Sequence, residues 1–78
     1  MRTIYIVSED NHGDLAVTLS YEDAINFLLI DKWISREDEA FFKRMCPQEF
    51  NEYMENSNDA FIKITKISET SHNIFRIR

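Results

Sequence analysis

Seventy-eight residues supply material for one hydrophobic core and no more, because a chain this short buries only about 60% of the surface its unfolded form exposes. Apolar residues make up 44% and aromatic residues 13%, which excludes a disordered chain, and a single glycine and a single proline exclude collagen-like or low-complexity sequence. A net charge of −5 argues against nucleic acid as a direct ligand, since phosphate binding draws on clustered Lys and Arg.

The chain opens on residues 2–8, which are β-branched and aromatic, with Ile4 and Ile6 on one side and Tyr5 and Val7 on the other. That is the pattern of a strand covered on both faces. Residues 9–14 collect turn formers, and the only glycine, Gly13, stands where a left-handed residue would reverse the chain. A second strand is expected over residues 15–19, antiparallel to the first, with Leu15, Val17 and Leu19 on one face.

Ser20 then has the position of a helix N-cap, with Asp23 three residues on and Glu22 and Asp23 at the positive end of the dipole. Tyr21, Ala24, Ile25, Leu28 and Leu29 form a core stripe at helical spacing, while Phe27, Ile30 and Ile34 fall on nearly the opposite side. This second apolar face needs cover from another helix or from a partner. Ser35-Arg36-Glu37-Asp38 repeats the capping pattern, so a second helix is expected from Ser35, with Ala40, Phe41, Phe42 and Met45 as its apolar positions. Cys46-Pro47 ends or kinks it, and Phe50, Tyr53 and Met54 suggest a third short helix over 47–55. Beyond a polar loop at 56–59, β pattern returns over 60–67 and 74–78, joined by residues 68–73. The expected fold is α+β in the order ββαα(α)ββ: a four-stranded antiparallel sheet carrying two or three helices, in a single domain over residues 1–78.

The residues that could carry chemistry lack companions. His12 is flanked by Asp10 and Asp14, but a zinc site takes about four ligands and no second His or Cys is near it in sequence, so it reads as a solvated turn residue. His72 has less company still. Cys46, the lone cysteine, forms no internal disulfide and reads as a small buried filler, which points to a reducing cytoplasm. The N-terminus runs directly into a β-rich segment without a signal-peptide core, and no apolar run approaches the roughly 20 residues of a membrane span. Phosphate loops, nucleophile elbows and calcium loops are missing. No enzyme activity, metal or cofactor is expected.

Surfaces remain. Charge is divided along the chain, with −8 over residues 1–59 and +3 over residues 60–78. Glu49, Glu52 and Glu55 recur every three residues, and with Glu37, Asp38 and Glu39 upstream they give the helical region an acidic band, partly offset by Arg36, Lys43 and Arg44. Charge runs of this kind usually form a solvated face. Trp33, Phe41, Phe42, Phe50 and Tyr53 occupy the same region, and five aromatics are many for a small sheet to cover. One or two of them, Trp33 and Phe41 first, are therefore expected as exposed anchors beside the acids.

The segment from Ile4 through Asp14, the run Ser20-Tyr21-Glu22-Asp23-Ala24 and the close on Lys32-Trp33-Ile34 resemble small accessory proteins of bacteriophages. That resemblance implies a protein that binds and blocks a host enzyme or defence complex, as anti-CRISPR and anti-restriction proteins do, in the host cytoplasm. It carries no functional residues, since that grouping shares no site. The expected partner is a host protein with a basic surface, such as one that itself binds nucleic acid. A DNA mimic, for which −5 is thin charge, and a homodimeric or structural subunit are the alternatives.

Overall fold

A computed structural model describes residues 2–57 and 61–69. Strand β1 (Arg2–Glu9) is central in a three-stranded antiparallel sheet, with β2 (Gly13–Thr18) on one side and β3 (Ile62–Glu69) on the other. Helices α1 (Tyr21–Ile30), α2 (Glu39–Lys43) and α3 (Pro47–Asn56) lie in sequence between β2 and β3, and a 3-10 turn over Arg36–Asp38 leads into α2. The α+β class and the element order up to β3 agree with the sequence pattern. The fourth strand expected over 74–78 lies outside the described residues.

The helices pack on one face of the sheet. Val7 of β1 and Ile62 and Ile64 of β3 are buried in one cluster with Ala24, Ile25, Leu28 and Leu29 of α1, Phe42 of α2, and Phe50 and Met54 of α3. Burial of a Leu or Phe side chain contributes about 1.5–3 kcal/mol, so this cluster is the principal source of stability. On the opposite face the register sets Ile6 beside Val17 and Thr65, and Ile4 beside Ile67. Ile4 is buried there, apart from the helical core, while Val17 is 61% exposed. The far face of the sheet is thus apolar and partly open.

Two departures in the first hairpin share one cause. The pairing of β1 with β2 shifts register between Val7 and Ser8, leaving Leu15 without an opposite number. Such a bulge breaks the period of two, so Leu15 and Ala16 both pack against the core. Leu15, Val17 and Leu19 do not share a face as alternation predicts: Val17 and Leu19 are exposed. The strand also starts earlier than expected, at Gly13, whose φ of 75° is a left-handed value that glycine adopts without steric cost.

Ser20 caps α1 as expected, its hydroxyl accepting from the Asp23 N–H at 3.0 Å. The helix ends at Ile30 with Asp31 as its C-cap, and the next residue, Lys32, is left-handed with φ 65°. The Lys32 N–H donates to Leu29 O at 3.1 Å and the Trp33 N–H to Leu28 O at 2.8 Å. These are the two bonds of a Schellman ending, a motif that usually places glycine where Lys32 stands. Of the second apolar face on α1, Phe27 and Ile34 pack against the core, and Ile30 stays exposed.

The second helix is shorter than its pattern. Ser35 Oγ accepts from Glu37 N at 3.2 Å, and the chain makes a 3-10 turn before one turn and a half of α-helix. α1 and α2 are tied by the Tyr21 hydroxyl, which donates to Phe42 O at 2.6 Å, and by Lys43 Nζ, 3.7 Å from Glu22 Oε2. Burial pushes the Tyr21 phenol well above its ordinary range, helped by charge on Cys46 and Glu49. Cys46 is exposed at the N-cap of α3, which corrects its expected burial. A helix N-cap lies at the end of the cylinder, and the proline that follows takes the first helical position, where its missing N–H costs nothing.

Candidate interaction surface

Phe41 and Phe42 are adjacent on a helix, so their side chains leave it about 100° apart. Phe42 points inward and is buried against Phe50 and Tyr53, at centroid distances of 5.4 and 5.5 Å. Phe41 points outward and is 46% exposed. Tyr53, on α3, meets Phe41 edge to face at 5.1 Å and is itself 40% exposed. Two aromatic rings from two helices therefore form one exposed patch, held in place by the buried Phe42 beneath.

Exposed carboxylates precede both rings by about one helical turn. Glu37 and Asp38 precede Phe41 by four and three residues, and both are exposed. Glu49, one turn before Tyr53, is exposed too, although its Oε1 accepts from the Cys46 N–H at 3.0 Å and so completes the cap of α3. Glu39 is different. Its carboxylate is 2.8 Å from Lys43 Nζ and 3.3 Å from Arg36 Nη1, and the Lys43 hydrogen bond chiefly holds it below its ordinary pKa while Lys43 is raised in turn. Glu39 is neutralised in place. Glu52 and Glu55 lie around the other flank of α3, lining a groove with Asn51, Thr65 and Lys66.

The acidic band expected from the sequence thus divides. Asp38 shares a cleft with Tyr53, Glu37 and Glu49 are exposed about a turn before the aromatic pair in sequence, Glu52 and Glu55 border the groove against β3, and Glu39 is occupied internally. Phe41 is exposed as an anchor should be. Trp33 is half-buried and packs against the core, touching His12 edge to face at 6.0 Å, with its Nε1 donating to Asp31 Oδ2 at 3.0 Å. It lines a cleft with Asp38 and Tyr53, which joins it to the edge of the surface without making it the centre. Of the five aromatics of this region, Phe41 and Tyr53 are the two that stand exposed. Tyr53 had the signal of helical spacing, whereas Trp33 falls in the linker after α1, where the chain turns its ring back toward the core.

The second polar cluster was not visible as such. Glu9 is the one buried charged residue among those described, 4% exposed. Its Oε1 accepts from the Asn11 N–H and the His12 N–H, each at 2.9 Å, and lies 2.6 Å from His12 Nδ1. The His12 hydrogen bond is the main cause of its lowered pKa, with burial opposing. His12 is exposed, as a turn residue should be, yet held by Glu9 rather than by Asp10 or Asp14. The cluster fastens the first hairpin to the end of α1 through Trp33. Among the described residues, no three His, Cys, Asp or Glu side chains are grouped to hold a metal ion, and no helix is long and apolar enough to cross a membrane.

Compared with known proteins, the chain matches no family model, and no curated protein or solved structure is significantly similar to it.

Proposed function

We propose that this protein is a small binding protein, a stoichiometric inhibitor that presents the Phe41–Tyr53 pair and the exposed carboxylates that precede it to a basic surface on another protein. The observation that carries the reading is the exposed edge-to-face contact at 5.1 Å, with the exposed carboxylates Glu37, Asp38 and Glu49 about one helical turn before its two rings in sequence. Aromatic anchors dominate the energetics of protein interfaces, and a rim of one charge sign selects the opposite sign and speeds encounter. Lysine and arginine also stack favourably on aromatic faces. The pair is already ordered by Phe42, so little side-chain freedom is lost on binding. The resemblance to bacteriophage accessory proteins supports a host enzyme or defence complex as the target. A duplex mimic is less well supported, since Glu39 is paired internally and the open carboxylates fall in two groups.

Tagged protein is expected to retain a partner from a bacterial lysate, with retention weakening as salt is raised. Phe41→Ala combined with Glu37→Gln and Asp38→Asn should abolish that retention while leaving the circular dichroism spectrum intact, and Cys46→Ser should change neither. Equal recovery by the triple variant would sink the reading.

A further inference from the structure

The two edges of the sheet are closed to different degrees. On β3 the Asn51 side chain donates to Ile64 O at 3.0 Å and accepts from the Ile64 N–H at 2.9 Å, so Ile64 turns its peptide groups away from β1. Alternation along an antiparallel ladder then turns Thr65 and Ile67 toward β1, and their partners Ile6 and Ile4 face back toward β3. Tyr5 and Val7, between and beyond these, face β2, where they pair with Thr18 and Ala16. Val17 lies between Thr18 and Ala16 and so presents its N–H and C=O to the outer edge. Among the described residues, no backbone bond is made there.

Nothing in the side chains guards this edge. Residues 15–20, Leu-Ala-Val-Thr-Leu-Ser, hold no charge and no proline, which are common devices against strand addition. Val17 is 61% and Leu19 70% exposed. The β3 edge, by contrast, is plugged at Ile64 and carries exposed Lys63 and Lys66.

We propose that the outer edge of β2 pairs with the same edge of a second copy of this chain, antiparallel about a two-fold axis at Val17, joining two three-stranded sheets into one. A two-fold interface requires a patch that complements itself. In this register Val17 meets its own equivalent and Ala16 meets Thr18, and no like charges confront each other within the uncharged segment. For a chain of net charge −5, such a segment is where two copies approach at least electrostatic cost. A strand from another protein would find the same peptide groups, but no side chain at the edge selects one. The proposal stands apart from the binding surface on α2 and α3.

Light scattering during gel filtration, from about 10 μM to about 1 mM, is expected to show the mass rising from 9.3 kDa toward twice that value. Val17→Lys sets two ammonium groups opposite each other and should weaken the dimer at least tenfold, to be read as about 1.4 kcal/mol or more. Thr65→Lys, on the same face but at the other edge strand, should leave it unchanged. In a Cys46→Ser background, Val17→Cys should form a disulfide dimer under mild oxidation, because facing hydrogen-bonded residues stand about 5.5 Å apart at Cα. The cross-link decides the matter if Val17→Lys does not fold. A chain monomeric at 1 mM overturns the proposal, whatever else pairs with the edge. So does a dimer that resists Val17→Lys without cross-linking, and so does one that Thr65→Lys also breaks, which would place the contact on the open face.

Discussion

Burying a carboxylate is costly unless its oxygens are bonded, and Glu9 meets that condition with three donors on one oxygen. Two of them are backbone amides of the turn itself, so the same bonds that satisfy the charge also shape the hairpin. Because its folded pKa lies below the ordinary glutamate value, Glu9 holds a proton less readily in the folded chain than in the unfolded one. Its contribution is therefore complete above about pH 4.5 and is lost as pH falls through the folded value. His12→Ala removes the largest cause of the depression. The Glu9 carboxyl should then titrate at higher pH by carbon-detected NMR, and acid unfolding should begin at higher pH. An unmoved titration would mean that the bond to His12 is not formed in solution. The alternation Tyr5, Val7, Glu9 already placed this carboxylate on the helix-covered face, but grouping Glu9 with the turn formers that follow it concealed the fact. Phe41 and Phe42 show the opposite difficulty. Two neighbouring apolar residues in a helix part by about 100°, so one must turn outward, and nothing in their identity says which.

At the scale of elements, the strands and helices were legible wherever period and caps agreed, as in β1, α1 and α3. They were not legible where a local rule was overridden. The bulge opposite Val7 and Ser8 reverses the sidedness of β2 without any glycine or proline to announce it. The 3-10 turn at Arg36–Asp38 shortens a helix whose capping pattern is otherwise intact. Asn51 is a third case: within a helix it looks like a surface residue, and only the approach of α3 to β3 lets its amide take both peptide groups of Ile64. Asn51→Ala should cost about 1–3 kcal/mol through the loss of two bonds at a half-buried position. Asn51→Asp should be nearly as costly, because a carboxylate cannot donate to the Ile64 carbonyl. Urea midpoints test both, and an unchanged midpoint for either would show that water replaces the amide freely.

One buried cluster draws on every strand of the described sheet but β2 and on all three helices, so the molecule is expected to unfold as a unit. Leu28, fully buried at its centre, should lose about 2–5 kcal/mol on change to Ala. Phe27→Ala should lose less, since that ring is only half-buried. The fluorescence of Trp33, the single tryptophan, and the far-ultraviolet circular dichroism should give the same midpoint in each variant; separate midpoints would mean that the hairpin and its attachment to α1 come apart before the core. The helical ending beside that tryptophan has a consequence of another kind. A left-handed lysine costs of order 1 kcal/mol that glycine at the same place would not incur, yet the chain keeps Lys32. Selection tolerates such a residue when stability already exceeds what survival demands. Lys32 is itself exposed, so the strain sits at a place where relief by glycine would disturb no packed side chain.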